Sequence, residues 1–275
     1  MARNWRAILV RTFKEFNEDR IPQAAAGSAF FILLALFPGL GVFVSLYGLV
    51  GDVHGAQEQI SELRGVLPEG GLTVIRDQIS RLAMTSHAKL GITFFFSLLL
   101  SVWSANAGMK GLIASLNVAY ELRERRNFIK LNVASLMLTA GGIVLAIVVM
   151  AAVVAAPAVL TMLHLEALRG PSALRWPLLV ILSAGLISVL YRWGPSPHGA
   201  RWRWITPGGV VAAFAWMAMS LAFSFYVGRF GHYDKTYGSL GAVVGFMTWI
   251  WLSVMVVLLG AELNSEIEEQ VGPAS

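Results

Sequence analysis

Six long runs without a single Asp, Glu, Lys or Arg constrain this chain more than any other feature. They are Ile21–Gly51, Leu90–Met109, Leu131–Leu165, Trp176–Tyr191, Trp204–Gly228 and Thr236–Ala261. A bilayer core takes about 20 apolar residues in a helix. Five of the runs meet that length. The fourth is short, but Trp176 and Trp193 bracket it, and Arg175 and Arg192 can snorkel to the two interfaces. The runs are apolar all round, whereas helices of a water-soluble globule keep a polar face. Only 13% of the 275 residues are charged and 56% are hydrophobic, against roughly 25% charged in a soluble domain. The expectation is an all-α integral membrane protein with six transmembrane helices. The spans fall at residues 24–50, 90–108, 131–156, 176–193, 207–228 and 238–262 of a single membrane domain, 1–275, whose tail, 263–275, is short and acidic. The first run is too long for a cleavable signal peptide and has no clear cleavage site.

Basic residues give the orientation. With six spans both termini share a side, and thirteen Lys and Arg fall on that side against eight on the other. The positive-inside rule then places both termini in the cytoplasm, in a bacterial inner membrane. Before the first span, Trp5, Leu9, Phe13 and Phe16 recur at helical spacing, which predicts an amphipathic helix lying on the cytoplasmic leaflet and ended by Pro22. Between spans one and two, residues 55–67 and 72–84 read as two helices parted by Pro68-Glu69-Gly70-Gly71, a periplasmic hairpin.

Inside the spans the informative residues are small or polar. Span one carries Ala24–Ala29 and then Pro38 between Phe37 and Gly39, a kink site. Span two carries Ser104 and Asn106 near its cytoplasmic end. Span six opens on Tyr237, Gly238 and Ser239, and Gly241 and Gly245 form a small-xxx-small pair. These residues serve close helix packing or line a ligand groove, and the pattern alone leaves both readings open. Charged groups at mid-depth are missing, which weakens an ion-pump or proton-relay reading.

Several segments carry a family resemblance. They are Asp19-Arg20-Ile21-Pro22 with Ala35-Leu36-Phe37-Pro38, Leu116-Asn117-Val118-Ala119-Tyr120, and Leu190-Tyr191-Arg192-Trp193-Gly194-Pro195. Pro207-Gly208-Gly209, Tyr233 with Tyr237-Gly238, and Gly260-Ala261-Glu262-Leu263-Asn264 complete the set. In this order, over nearly the whole chain, they resemble the YihY/BrkB family of bacterial membrane proteins, once labelled ribonuclease BN. Phe31 and Asp234 depart from the family's frequent Tyr and Asn. The resemblance implies a six-helix inner-membrane protein tied to the cell envelope and to virulence, suspected of moving envelope lipids, with the ribonuclease label a misassignment.

The residues bear on that label directly. His54, His87, His164 and His232 fall on the outward side, and only His198 faces the cytoplasm. No carboxylates show a metal-ligand motif. There is no cysteine, hence no disulfide or thiolate site. The expectation is therefore a non-enzyme without cofactor or metal that binds membrane lipids and no nucleic acid. It acts as a transporter or flippase of a lipid or lipid-linked substrate. Pro38, Ser104, Asn106, Tyr237, Gly238, Ser239 and Gly241 are the groove candidates, between spans one, two and six. Arg123, Arg125, Arg126 and Lys130 would meet anionic headgroups on the cytoplasmic face. Asp19, Arg20, Asn117, Glu262 and Asn264 form a cytoplasmic gate or a structural pair. The alternative is a scaffold or accessory protein for envelope assembly, with a homo-oligomer or an assembly partner; a channel is a third reading.

Overall fold

The computed structural model describes residues 5–50, 72–77, 80, 87–144, 175–196, 206–230 and 241–271. Every element among the described residues is helical. α1 spans Trp5–Glu18, α2 Ile21–Val50, α3 His87–Ala119 and α4 Phe128–Val144, followed by α5 Arg175–Trp193, α6 Pro207–Phe230 and α7 Gly241–Val271. Pro207–Arg229 and Gly241–Glu269 have the length and apolarity to cross a membrane, with mean hydropathy 1.9 and 2.3; Ile21–Leu36, Phe128–Val144 and Val180–Trp193 are shorter apolar helices. Of the expected hairpin, 55–67 lies outside the described residues, while 72–77 are helical with Leu72, Val74 and Ile75 buried.

Two boundaries differ from the sequence reading. The corner after α1 is made by Arg20 rather than Pro22. Arg20 takes a left-handed backbone, φ 52°, and its N–H donates to the Asn17 carbonyl at 3.2 Å. Its own carbonyl then accepts from Gln23 and Ala24, so Ile21 and Pro22 already belong to the first turn of α2. Proline fits there because first-turn N–H groups have no helical partner. The second difference is at the C-terminus, where the expected acidic tail continues α7 to Val271. Leu263 and Ile267 form a buried cluster with Ile8 of α1, and that apolar contact prolongs the helix. α1 thus uses Ile8 inward and leaves Trp5, Leu9 and Phe13 exposed on other faces.

α3 closes on a left-handed residue as well. Glu121 has φ 51°, its N–H donates to the Val118 carbonyl at 2.8 Å, and the Leu122 N–H reaches back to the Asn117 carbonyl at 2.7 Å. This is the paired hydrogen-bond pattern of a Schellman end, usually built on glycine. A non-glycine residue in this conformation costs about 1 kcal/mol, so the contacts of residues 120–127 must hold the turn.

The chain divides into two compact units. The first comprises Met1–Ala25, Met109–Met217 and Met255–Ser275; the second comprises Ala26–Gly108 and Ala218–Val254. In the second unit α2 and α3 pack antiparallel. Ser101 donates to the Ala35 carbonyl at 3.2 Å, Gly108 abuts Ile32, and Phe31 meets Trp103 edge-on with centroids 6.3 Å apart. In the same unit the Trp249 indole N–H donates to Ser220 at 3.1 Å, joining α6 and α7.

Candidate functional site

The richest polar chemistry lies in the first unit, where helix ends meet. Asn264, 2% exposed on α7, is its hub. Its side-chain carbonyl accepts the Gly208 N–H at 2.8 Å; its amide donates to Thr206 Oγ1 at 2.8 Å and to the Tyr120 hydroxyl at 3.2 Å. The sequence explains why α6 needs this. Thr206 caps the helix by accepting the Gly209 N–H at 3.1 Å. Pro207 has no N–H to satisfy. Gly208 is left with an orphan donor, and Asn264 supplies the acceptor from another helix. The approach requires glycine on both sides. A Cβ on Gly208 would run into the Gly260 carbonyl and into Asn264, and one on Gly260 would lie 2.5 Å from the Tyr191 hydroxyl and 2.7 Å from Ala212. Tyr191 is buried, meets Tyr120 edge-on at 6.4 Å, and donates its hydroxyl to the Val257 carbonyl of α7.

A second group locks the turn after α3. The Arg126 guanidinium forks onto Glu124, with Nε at 2.8 Å and Nη2 at 2.7 Å, and reaches the carbonyls of Gly194 at 2.7 Å and Trp193 at 3.4 Å. Asn117 donates to Glu124 at 2.9 Å and accepts the Ser196 N–H at 2.6 Å. Gly194 makes this possible, since a Cβ there would lie 2.7 Å from Leu116. The Arg126 hydrogen bonds are the main reason the Glu124 carboxyl is held down to about 2, with Asn117 adding to the effect. The stability this carboxylate contributes is present above the ordinary carboxylate range and is lost as pH falls toward 2.

The third group is acidic. The Asp19 side chain, at the corner after α1, is hydrogen-bonded to that of Glu262 on α7. Burial is the main cause that pushes the Asp19 carboxyl up, with Glu18 adding to it, while the bond to Glu262 acts the other way. Glu262 is 2% exposed and Glu266 is 6% exposed, and each has one carboxylate oxygen without a hydrogen-bond partner among the described residues. Burial likewise raises the Tyr120 phenol. Among the described residues no set of three or more His, Cys, Asp and Glu is placed to hold a metal ion.

The sequence candidates distribute as follows. Asp19 and Glu262 meet, while Asn117 and Asn264 sit in the other two groups, linked through the end of α3. Arg20 is the exposed corner residue. Arg123, Arg125 and Lys130 are exposed, whereas Arg126 is committed to Glu124 and two carbonyls. In the second unit Ser104 is fully buried and its hydroxyl has no partner among the described residues; Asn106 is half-buried and has one. Pro38 lies within α2, and its side chain is outside the described residues, as are Tyr237, Gly238 and Ser239 entirely. Gly241 opens α7, and a Cβ on Gly245 would meet no described atom within 4 Å, so the close glycine crossing is Gly208 with Gly260 instead. Sequence reasoning missed Glu124, Thr206, Ser196 and Ser28. Ser196 directly follows Pro195 of a quoted motif, and Thr206 stands one residue before Pro207 at the N-cap, so both signals were present.

These features define a helical membrane protein whose hydrogen-bonded polar groups gather where helix ends meet. The chain belongs to the virulence factor BrkB family, whose model matches residues 12–275. It is 28% identical over 282 residues to a putative ribonuclease-like protein, YfkH, of Bacillus subtilis, covering 96% of each chain. It is 27% identical to a UPF0761 membrane protein of Kangiella koreensis and 26% identical to one of Azotobacter vinelandii, in each case over 94% of this chain. Those two proteins are longer, and the chain spans 64% and 62% of their lengths. No solved structure matches.

Proposed function

We propose that this chain moves a lipid or lipid-linked envelope substrate across the bacterial inner membrane without catalysing a covalent reaction. The observation that carries the reading is the kind of polar group buried in the second unit. Among its described residues the buried polar side chains are Ser28, Ser104 and Ser220, and none is ionisable. Ser104 shares a helical stripe with Ser101 and Gly108, which touch α2; Ser28 shares one with Phe31, Ile32 and Ala35, which touch α3. Neither hydroxyl has a partner among the described residues. Hydroxyls of this kind suit a headgroup's phosphate oxygens without trapping an ion. Phe95, Phe96, Leu99 and Trp103, exposed on α3, suit acyl chains that stay in the bilayer.

The arrangement we propose has six spans with both termini in the cytoplasm. Its support is the bonding of the first unit. The turn after α3 and the segment after α5 are joined through Arg126 and Asn117, and Tyr120 links that turn to the end of α7. The first two of these segments carry part of the basic excess, while the end of α7 carries none. Exposed Arg123, Arg125 and Lys130 then face anionic headgroups. The ribonuclease-like wording of the Bacillus relative is not carried to this chain.

Translocation of a labelled phospholipid in proteoliposomes holding only the purified chain tests the reading. The expected result is movement above empty vesicles that falls several-fold in the Ser28→Ala/Ser104→Ala double variant. No movement for any common envelope lipid, with or without a proton gradient, sinks the transporter. The scaffold reading draws on the exposed Trp5, Leu9 and Phe13 of α1. It expects instead a partner that stays bound through purification.

A further inference from the structure

We infer that the outward face of α1, carried by Leu9, Val10 and Phe13 with Trp5, is a docking surface for an anionic membrane leaflet, so that this helix straps the leaflet to the end of α7. The inference does not rest on the transport reading.

α1 presents two faces. Ile8 and Thr12, one turn apart, are buried, and Ile8 packs against Leu263 and Ile267 of α7. Leu9, Val10 and Phe13 are exposed, Val10 at 63% against 0% for Ile8, and Trp5 is half exposed. At about 100° per residue, Trp5, Leu9, Phe13 and Val10 follow one another over an arc of about 140°. The inward stripe of Ile8 and Thr12 lies about a third of a turn from the centre of that arc. A helix held to the protein along one narrow stripe thus turns a wide apolar surface away from it. Phe16 shares the spacing of Trp5, Leu9 and Phe13 in the sequence but is half-buried, so Val10 rather than Phe16 completes the open surface.

The position of α1 brings that surface to the edge of the bilayer. Only Asp19 and Arg20 separate α1 from α2, and α2 enters the first unit at once, with Ile21 and Ala25 fully buried. Leu263 stands next to Asn264, which bonds the Gly208 N–H at the start of α6 and the Tyr120 hydroxyl at the end of α3. Tyr120 opens the turn that Arg126 ties to the Trp193 and Gly194 carbonyls at the end of α5. α1 therefore lies against the end of the first unit where α3 and α5 finish and α6 begins. The same end displays exposed Phe128 and Trp193 together with exposed Arg123, Arg125, Lys130 and Arg192. Lys110 reaches from α3 to within 5.5 Å of the Phe128 ring centroid. Aromatic rings mixed with long cations at helix ends are the belt of a membrane–water interface.

Charge decides the occupant. Arg6 is exposed and falls inside the apolar arc, between Phe13 and Val10. Lys14, also exposed, borders the arc one turn beyond Val10, and its partner Glu18, at 3.3 Å, lies on the side away from the arc. No acidic residue of α1 falls within the arc. A guanidinium among apolar side chains is poorly placed in a dry protein groove, where it needs a carboxylate partner. At a leaflet its stem lies among acyl chains and its head reaches phosphate oxygens. A helix with Trp, Leu and Phe on one face and cations beside them lies in the plane of the interface, held by apolar burial and by attraction to anionic lipid. Because Ile8 fastens the same helix to α7, docking on the leaflet also holds the end of α7 in place.

The chain contains no cysteine, so single labels report the face directly. The test uses the full chain in nanodiscs of phosphatidylcholine, with or without phosphatidylglycerol, and a nitroxide on Val10→Cys, Phe13→Cys or Glu18→Cys. Collisions are measured with oxygen, which partitions into lipid, and with a water-soluble nickel complex. With phosphatidylglycerol present, the oxygen-to-nickel ratio at positions 10 and 13 should be several-fold above that at 18. Leu9→Cys replaces either outward variant if it fails to fold. Without phosphatidylglycerol the ratio should fall, and Arg6→Gln/Lys14→Gln should produce the same fall in its presence. Labels at 10 and 13 that are open to nickel overturn the inference. So do labels immobilised and shielded from both reagents, which would put a partner protein or a second copy on this face. A ratio equal with and without phosphatidylglycerol, or unmoved by the double variant, overturns the assignment to an anionic leaflet.

Discussion

The two units differ in the kind of buried polar atom they hold and in how far its bonds reach. In the first, three buried side chains reach far away in sequence, Asn264 to Gly208 and Tyr120, Asn117 to Ser196, and Tyr191 to the Val257 carbonyl, while Thr12, Ser115, Ser135 and Ser188 bond carbonyls three or four residues back. In the second, Ser220 is bound to Trp249, but the Ser28 and Ser104 hydroxyls are buried and bound to nothing described. A satisfied buried network fixes one structure and is costly to break, because each deletion strands several partners. An unsatisfied hydroxyl costs stability and persists only where something other than stability keeps it. The long-range bonds of the first unit hold helix ends together; the polar atoms left without a described partner are carboxylate oxygens of Glu262 and Glu266 there and serine hydroxyls in the second unit.

The largest expected effect follows from the hub. Asn264→Ala strands the Gly208 N–H and removes donors to Thr206 and Tyr120 in a fully buried place. An unsatisfied buried group costs about 1–3 kcal/mol, and more than one is left here. The expected loss is about 3 kcal/mol or more, read as a lower denaturation midpoint of the purified protein. Asn264→Asp keeps the acceptor for Gly208 but loses the donors, so it should fall between. If Asn264→Ala unfolds like the wild type, the contrast between the units fails at its strongest point.

Glycines give the next test, since each unit offers one on α7. Gly260→Ala pushes a methyl into the Tyr191 hydroxyl, Ala212 and the Gly208 carbonyl, of which only the first belongs to a side chain with any freedom to move. Overpacking of this kind costs about 1–3 kcal/mol. Gly245→Ala meets open space among the described atoms. Alanine is the better helix former by up to about 1 kcal/mol, so this variant should be neutral or slightly stabilising. Paired melting curves decide it. A destabilised Gly245→Ala would mean that the second unit also packs a tight glycine crossing.

Legibility differs in the same way. The apolar runs foretold the helices, because a bilayer-length stretch without charge has few other uses; α5 at Arg175–Trp193 falls almost where its two tryptophans placed it. The motif residues Asn117, Tyr191, Gly208, Glu262 and Asn264 were visible one segment at a time. What the chain order could not display is that they converge, since Asn264 meets Tyr120 across 144 positions. The helix ends were misread where local chemistry misled: Pro22 looked like a terminator, yet the left-handed Arg20 turns the chain. The acidic tail was set apart from span six because composition does not reveal that Leu263 and Ile267 find Ile8. Arg126 read as a headgroup contact among four basic residues, and only geometry distinguishes the one that forks onto Glu124 from its exposed neighbours.

The smallest effect is the one with the inverted sign, and it separates the units most cleanly. Ser28→Ala and Ser104→Ala each remove a buried hydroxyl that has no described partner and leave a methyl of nearly the same volume. Removing an unsatisfied buried polar atom should leave stability unchanged or raise it, by about 1 kcal/mol at most. In the first unit the comparable change, Ser196→Ala, removes the acceptor of the Arg125 N–H and should lower stability. The two serines of the second unit then become a decision between packing and function. If they serve only packing, the alanine variants are more stable and behave as wild type in lipid movement. If the hydroxyls meet a headgroup, the same variants are more stable and slower. That combination, a melting temperature that rises while translocation falls, is what a binding surface maintained at the expense of stability produces. A drop in both would place the hydroxyls within an ordinary network and remove the distinction on which the transport reading rests.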